Sequence, residues 1–304
     1  MKKLALTALV VVGLTACSAG PTATGSGAGA GTPSTSPTVD DGSPSPEPST
    51  AAKGKEMSTI TAVTRKLRRA DRALDEAIDA WLQEGGRQRG AAYRELLFLG
   101  LDEQNLMRRL IKHRRLGNRV LRRLDGPLEL ETRRNVKAGR GLRALSTPVK
   151  PPVKMKTTRP APPQRLRRFY KKARGRFDIP WTILASVNFV ESKFGRLNGP
   201  SSAGAKGPMQ FMPATWDAYG KGNIWDPHDS IMAAARYLRA SGAPQRIRSA
   251  LYAYNHSEAY VDAIVLYARQ MKRNPKHYYG YYLWQVFVRT TKGDVQLTGP
   301  GRDQ

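Results

Sequence analysis

The sequence predicts a mainly α protein: a basic helical-hairpin segment behind a disordered tether, followed by a compact helical half. Three observations predict it. Apolar residues recur at threes and fours across residues 56–145 and again across 165–292, the period of one helical face. Gly and Pro clusters, not scattered breakers, separate these runs. The chain is 304 residues long and 40% hydrophobic, enough for one or two real cores.

The amino-terminal stretch sets the compartment. Lys2 and Lys3 precede an apolar run, residues 4–16, that falls short of the ~20 residues a membrane-spanning helix needs and suits a signal peptide. It ends in Leu14-Thr15-Ala16-Cys17, which resembles the bacterial lipoprotein box. The resemblance implies a signal peptide over 1–16 and a diacylated Cys17. The protein would then be lipid-anchored on the outer face of the cytoplasmic membrane. Cys17 is the single cysteine, which excludes an intrachain disulfide framework and any CxxC metal or redox site. Residues 18–50 hold no Lys, Arg or aromatic residue and are rich in Gly, Ser, Thr and Pro. Such a composition buries too little to fold, so residues 17–55 are expected to be a lipidated, disordered tether.

Residues 56–145 read as helices. Ile60, Val63, Leu67, Leu74, Ile78 and Trp81 share one face, and Glu84-Gly85-Gly86 ends the run. A second run covers about 90–124, and a shorter piece 128–145. Two long antiparallel helices are the simplest expectation. Their polar faces carry Arg65-Lys66-Leu67-Arg68-Arg69 and Arg108-Arg109-Leu110-Ile111-Lys112. With Lys and Arg outnumbering Asp and Glu by 51 to 24, the formal charge is +27 and calls for a polyanionic neighbour. Export argues against nucleic acid, which leaves anionic lipid or an acidic wall polymer. Residues 146–164 hold six prolines and read as an interdomain linker. Residues 293–304 read as a polar tail.

The chemistry is expected in 165–292. After Pro180, Leu184, Val187 and Glu191 lie three and four apart, so a carboxylate extends an apolar helix face. The spacing puts Glu191 at the rim of the core, where desolvation raises a carboxyl's pKa towards that of a general acid. Downstream come Gly204-Ala205-x-Gly207-x-Met209-Gln210-x-x-Pro213, Asp226-Pro227 and Ala253-Tyr254-Asn255. With Glu191-Ser192 these four elements, in this order over about 65 residues, resemble the soluble lytic transglycosylase (SLT) domain family, related to goose-type lysozyme.

The resemblance implies a lysozyme-like α-helical fold, peptidoglycan glycan strands as substrate, and Glu191 as catalytic acid and base. It further implies that Ser201 and Gln210 bond the sugar's N-acetyl or peptide-bearing groups. Met209 would pack beside the cleaved linkage, Tyr254 would orient Glu191, and Asn255 would support the loop. Two departures stand out. Pro208 replaces the usual larger aliphatic residue, and His256-Ser257 follow Asn255 where Ala-Gly is common. Losing that glycine removes easy access to positive φ, so this loop is expected to differ.

Most glycosidases need two carboxylates. Between Glu191 and Tyr254 the acids are Asp217, Asp226 and Asp229, none in a second catalytic motif. A single-carboxylate reaction yielding 1,6-anhydromuramyl ends accounts for this. The alternatives are a lysozyme-like hydrolase with Asp226 or Asp229 as base, and a non-catalytic wall-binding scaffold lipoprotein. His113, His228, His256 and His277 show no ligand spacing, so neither metal nor cofactor is expected. The aromatic cluster Tyr278, Tyr279, Tyr281, Tyr282, Trp284 and Phe287 is expected to pack a core more than to stack on sugars.

Overall fold

The structure is a computed structural model in which residues 50–301 are described, with side chains from residue 56. The signal peptide, Cys17 and nearly all of the tether lie outside the described residues. Among the described residues the chain is mainly α, with eleven helices and one two-stranded antiparallel sheet.

Helix α1 spans Thr50–Gln83. It begins five residues before the expected end of the tether, because no Pro interrupts the chain between Thr50 and Glu56. Its predicted face is the buried one: Ile60, Val63, Leu67, Leu74, Ile78 and Trp81 are each 7% exposed or less. Gly85 and Gly86 end it with positive φ, and the Gly86 N–H returns to the Trp81 carbonyl at 2.8 Å. The chain then folds back as α2 (Gly90–Lys112), which packs along α1.

The second predicted run is two helices, not one. It breaks at His113, and α3 (Arg114–Leu121) turns away. Gly117 permits the break, since a Cβ there would lie 2.5 Å from the Leu110 carbonyl oxygen. Arg140 of α4 (Gly126–Ala144) donates to the Leu110 and Arg114 carbonyls at 3.2 and 3.3 Å, satisfying the exposed end of α2.

Seven further helices follow: α5 (Pro163–Phe177), α6 (Trp181–Ser192), α7 (Pro213–Tyr219), α8 (Pro227–Ala240), α9 (Ile247–Tyr254), α10 (Glu258–Arg273) and α11 (Lys276–Leu283). Helix α6 is central. It is surrounded by α5, α8, α10 and α11, and every residue from Thr182 to Ser192 is buried. A helix apolar on all sides belongs in such a place. Its polar residues are bonded internally: Ser186 Oγ donates to the Thr182 carbonyl at 2.8 Å, and Asn188 Nδ2 to the Tyr170 hydroxyl at 2.9 Å.

The expected separate basic module is, in the structure, continuous with the C-terminal half. One hydrophobic cluster runs from Ile60 to Trp284. Helix α4 packs extensively on α10, and the Trp81 ring meets Tyr279 edge-on at 5.7 Å. The proline-rich stretch 146–164 is laid along the fold, with Val149 bridging to Thr290 and Thr157 to Leu197. The expected polar tail begins as a strand. Strands β1 (Phe287–Thr290) and β2 (Gly293–Gln296) form a hairpin, and Asp294 receives Arg108 of α2 at 2.9 Å and Arg143 of α4 at 3.1 Å. The aromatic cluster is largely core: Tyr278, Tyr279, Tyr281, Tyr282 and Trp284 are buried, while Phe287 opens β1 beneath the Arg108 guanidinium.

Candidate active site

Glu191 sits one residue from the end of α6 and is 0% exposed, deeper than the rim position its spacing suggests. The periodicity reports only the face of its own helix. Here α10 and the loop after α6 cover the remaining side. From the first turn of α10, the Tyr260 hydroxyl donates to Glu191 Oε1 at 2.8 Å. Burial and the neighbouring Glu191 charge hold the Tyr260 phenol well above its ordinary pKa, so it stays a donor.

The loop after the acid is tightly built. Ser192 Oγ donates to the Pro208 carbonyl at 2.6 Å and accepts from the Gly195 N–H at 2.8 Å, tying the end of α6 to the Gly207–Pro213 segment. Lys193 and Phe194 both adopt left-handed φ (53° and 61°), a cost on the order of 1–3 kcal/mol each. Packing holds them there, with the Phe194 ring stacked on Phe189 at 5.5 Å and edge-on to Tyr278 at 5.6 Å. The Lys193 ammonium lies 4.4 Å over the Phe189 ring and donates to the Phe189 carbonyl. Burial, then the nearby Arg196, lower its pKa to about 8 against the opposing pull of Glu191.

Residues 206–211 form a tight turn closed by reciprocal backbone bonds between Lys206 and Phe211. Gly207 has φ +76°, and a Cβ there would stand 1.9 Å from the Ile224 carbonyl oxygen, so only glycine fits. Gln210, also at positive φ (50°), is 1% exposed. Its Nε2 donates to the Gly207 carbonyl at 2.8 Å, which fixes the orientation of the amide, and its Oε1 has no partner among the described residues.

The other expected site residues fall as follows. Ser201 closes a small loop, its Oγ accepting from the Ala205 N–H at 2.9 Å. Met209 is wholly buried within the core. Tyr254 is buried near enough to Glu191 for that charge to help raise its pKa, but its hydroxyl donates to the Met209 carbonyl at 2.6 Å. The tyrosine that bonds the acid is therefore Tyr260, not Tyr254. Asn255 caps the end of α9 in extended backbone (φ −147°) and accepts from the Ser257 N–H. Among residues 255–257 none needs positive φ, and Ser257 serves as N-cap of α10, so the missing glycine is replaced by a cap that sets Tyr260 in the first turn. Tyr260 was not evident in the sequence, although the Ser257 capping signal three residues earlier marks the turn that carries it.

Asp226 is the N-cap of α8, accepting from the Asp229 N–H at 3.0 Å. Asp229 accepts from the Asn223 N–H and faces His228 Nδ1 at 3.0 Å. The Asn223 bond, then His228, hold the Asp229 carboxyl below its ordinary pKa. These three residues are also the one trio among the described residues whose ligand atoms lie within 4.8 Å of one another. Each acid already serves loop geometry.

Against this geometry, residues 168–276 match the family model described as Transglycosylase SLT domain. This part of the chain is similar to a transglycosylase SLT domain. The chain is also similar, over about a third of its length, to proteins named membrane-bound lytic murein transglycosylase F. One, from Cellvibrio japonicus, is 31% identical over 113 residues, covering 34% of this chain and 23% of that protein. Another, from Methylobacillus flagellatus, is 31% identical over 121 residues, 37% of this chain and 25% of the relative. The match thus spans about a quarter of the length of these relatives. No solved structure matches. The SLT match contains Glu191, Ser192, Gln210, Tyr254 and Tyr260, while α1 to α4 lie outside it. The matched region's core is nonetheless completed by those helices.

Proposed function

We propose that the SLT domain is a peptidoglycan lytic transglycosylase that cleaves the β-1,4 linkage between N-acetylmuramic acid and N-acetylglucosamine and leaves 1,6-anhydromuramyl ends. The observation that carries this reading is the carboxyl of Glu191, buried at the end of the central helix and held by the Tyr260 hydroxyl. Protonated Glu191 gives its proton to the glycosidic oxygen as the bond from muramyl C1 breaks. The substrate's N-acetyl oxygen stabilises the developing cation. The resulting carboxylate takes the proton of the muramyl 6-hydroxyl, whose oxygen bonds to C1. No water is consumed, and the tethered nucleophile has an entropic advantage. The hydrogen bond from Tyr260 orients the carboxyl through both proton transfers. Gln210 Oε1, without a partner among the described residues, suits an N-acetyl N–H, and Ser201 can still donate its hydroxyl proton. The engagement of Asp226 and Asp229 in the α8 cap disfavours either as a water-activating base. Digestion of purified sacculi followed by mass spectrometry tests the proposal. Anhydromuropeptides are expected from the wild type and a loss of about a thousandfold or more in Glu191→Gln, since general acid–base catalysis contributes typically 10²–10⁴-fold. Reducing muramyl ends would mean a hydrolase, and no product from several wall types a scaffold.

We further infer an extracytoplasmic protein anchored by lipid at Cys17. No described helix is long and apolar enough to cross a membrane, and the relatives are named membrane-bound. Arg65, Arg68, Arg69, Arg72 and Arg123 line one groove of about 540 Å³, which favours contact with anionic headgroups or wall polymer. Radiolabelled palmitate should enter the wild type and not Cys17→Ser; label in both would refute the anchor.

A further inference from the structure

A cavity away from the Glu191 site lies where the amino-terminal helices meet α11. Its volume is about 290 Å³, and α1, α2, α4 and α11 all contribute to its wall. In a chain of formal charge +27, its wall carries an excess of acid: Asp71, Asp75 and Glu76 of α1, Glu103 of α2 and Glu131 of α4 line it, against Arg72 of α1 and Lys276 and His277 of α11. The lysine at its edge is already taken, because Lys276 Nζ is held by Asp75 and Asp79 at 2.7 and 2.6 Å. His277 Nε2 stands 3.1 Å from Glu131 Oε1 without hydrogen-bond alignment.

A cluster of acids alone is commonly a solvated face. Here a second feature points inward. Thr132 lines the same cavity, is 0% exposed, and its Oγ1 has no hydrogen-bond partner among the described residues. A buried hydroxyl without a partner is destabilising unless something else bonds it. The carboxylates also repel one another: the Asp71 pKa is raised by burial and then by Glu131 and Asp75.

We propose that this cavity binds a small organic cation, an ammonium or guanidinium compound of amino-acid size, with Asp71, Glu103 and Glu131 as its charge partners and Thr132 Oγ1 accepting one of its N–H groups. The spacing favours such a ligand over a metal ion. No three carboxylate or imidazole groups of this cavity come within 4.8 Å of one another. A point cation would therefore lack a ligand set, whereas several N–H donors on a short chain can reach separated carboxylates. The cavity volume is of the order that small-molecule sites occupy.

Binding should release a proton near neutrality. Burial lifts Glu103 to about 7, with Asp71 adding repulsion and the Trp284 indole N–H and His277 opposing it. The same cavity also holds Asp75, Glu76, Glu131, Arg72 and Lys276, and the neighbouring phenols of Tyr267 and Tyr281 stay protonated in this range. A cation at this site favours the Glu103 carboxylate, so the proton leaves as the ligand arrives.

Calorimetry of the full chain with cadaverine as probe tests this, alongside neutral 1,5-pentanediol and calcium chloride. Saturable cadaverine binding is expected, with proton release below pH 7 read from buffers of different ionisation enthalpy. The affinity should fall about tenfold in Glu103→Gln and in Thr132→Val, as for loss of one charged or buried hydrogen bond. It should be unchanged in Glu95→Gln on the exposed face of α2. Thermal unfolding checks that each variant folds, and Thr132→Val carries the test if Glu103→Gln does not. Absence of saturable binding, equal binding by pentanediol, binding of calcium in place of cadaverine, or full affinity in the folded variants would overturn the proposal.

Discussion

At the scale of single residues, the decisive contact is between Tyr260 and Glu191. A hydrogen bond donated to a carboxylate favours its charged form. Tyr260→Phe removes that donor, so the carboxyl should hold its proton to higher pH. The alkaline limb of the pH–rate profile is expected to move upward, and kcat/KM to fall about ten- to a hundredfold, the range of a hydrogen bond to a charged group. An unchanged limb with lowered activity would mean that Tyr260 only packs. That Glu191 lies on an apolar face was legible because Leu184, Val187 and Glu191 share one helix face, while its expected role came from the resemblance. Its depth was not, since that depends on four surrounding helices that the period of α6 cannot report. The identity of its tyrosine partner was also hidden. Tyr254 stands in the recognisable Ala-Tyr-Asn element, yet its hydroxyl is spent on the Met209 carbonyl, and the group that reaches the acid is carried by the next helix.

At the scale of elements, helix faces were legible where breakers were strong. The face of α1 and its Gly85-Gly86 stop followed from spacing and from glycine's tolerance of positive φ. The break at His113 was not legible, because it rests on the close approach of Gly117 to α2 and on Arg140 from a distant helix. The terminal hairpin was missed for a similar reason. Its short strands are held less by their own pattern than by Asp294 between Arg108 and Arg143. Asp294→Ala should leave two partly buried guanidinium groups facing one another and destabilise the chain by about 2 kcal/mol, measured by urea unfolding. A change below about 0.5 kcal/mol, the usual size for an ordinary surface substitution, would show that the hairpin is stapled by its apolar contacts instead.

At the scale of the whole molecule, the amino-terminal helices and the region that matches the SLT model share one core, so what read as two modules around a linker is one packed body. Proline content suggested an open connection, but proline excludes helix without excluding an extended chain laid on a surface. The acidic cavity at this junction links stability to pH. Glu103 is lifted above its ordinary 4.5 to about 7, so the folded state holds a proton that the unfolded chain has released. Stability is then fully present at low pH and is lost as pH rises from about 4.5 to 7. Urea midpoints of the wild type should fall over that window, and those of Glu103→Gln should fall less. Parallel curves would remove Glu103 from the linkage.

The proposed reaction is a cleavage by one buried carboxyl without water. Digesting purified sacculi in H₂¹⁸O tests it most directly. The account predicts 1,6-anhydromuramyl ends that carry no ¹⁸O and disappear in Glu191→Gln. Reducing muramyl ends labelled with ¹⁸O, or anhydro ends that persist in Glu191→Gln, would contradict it.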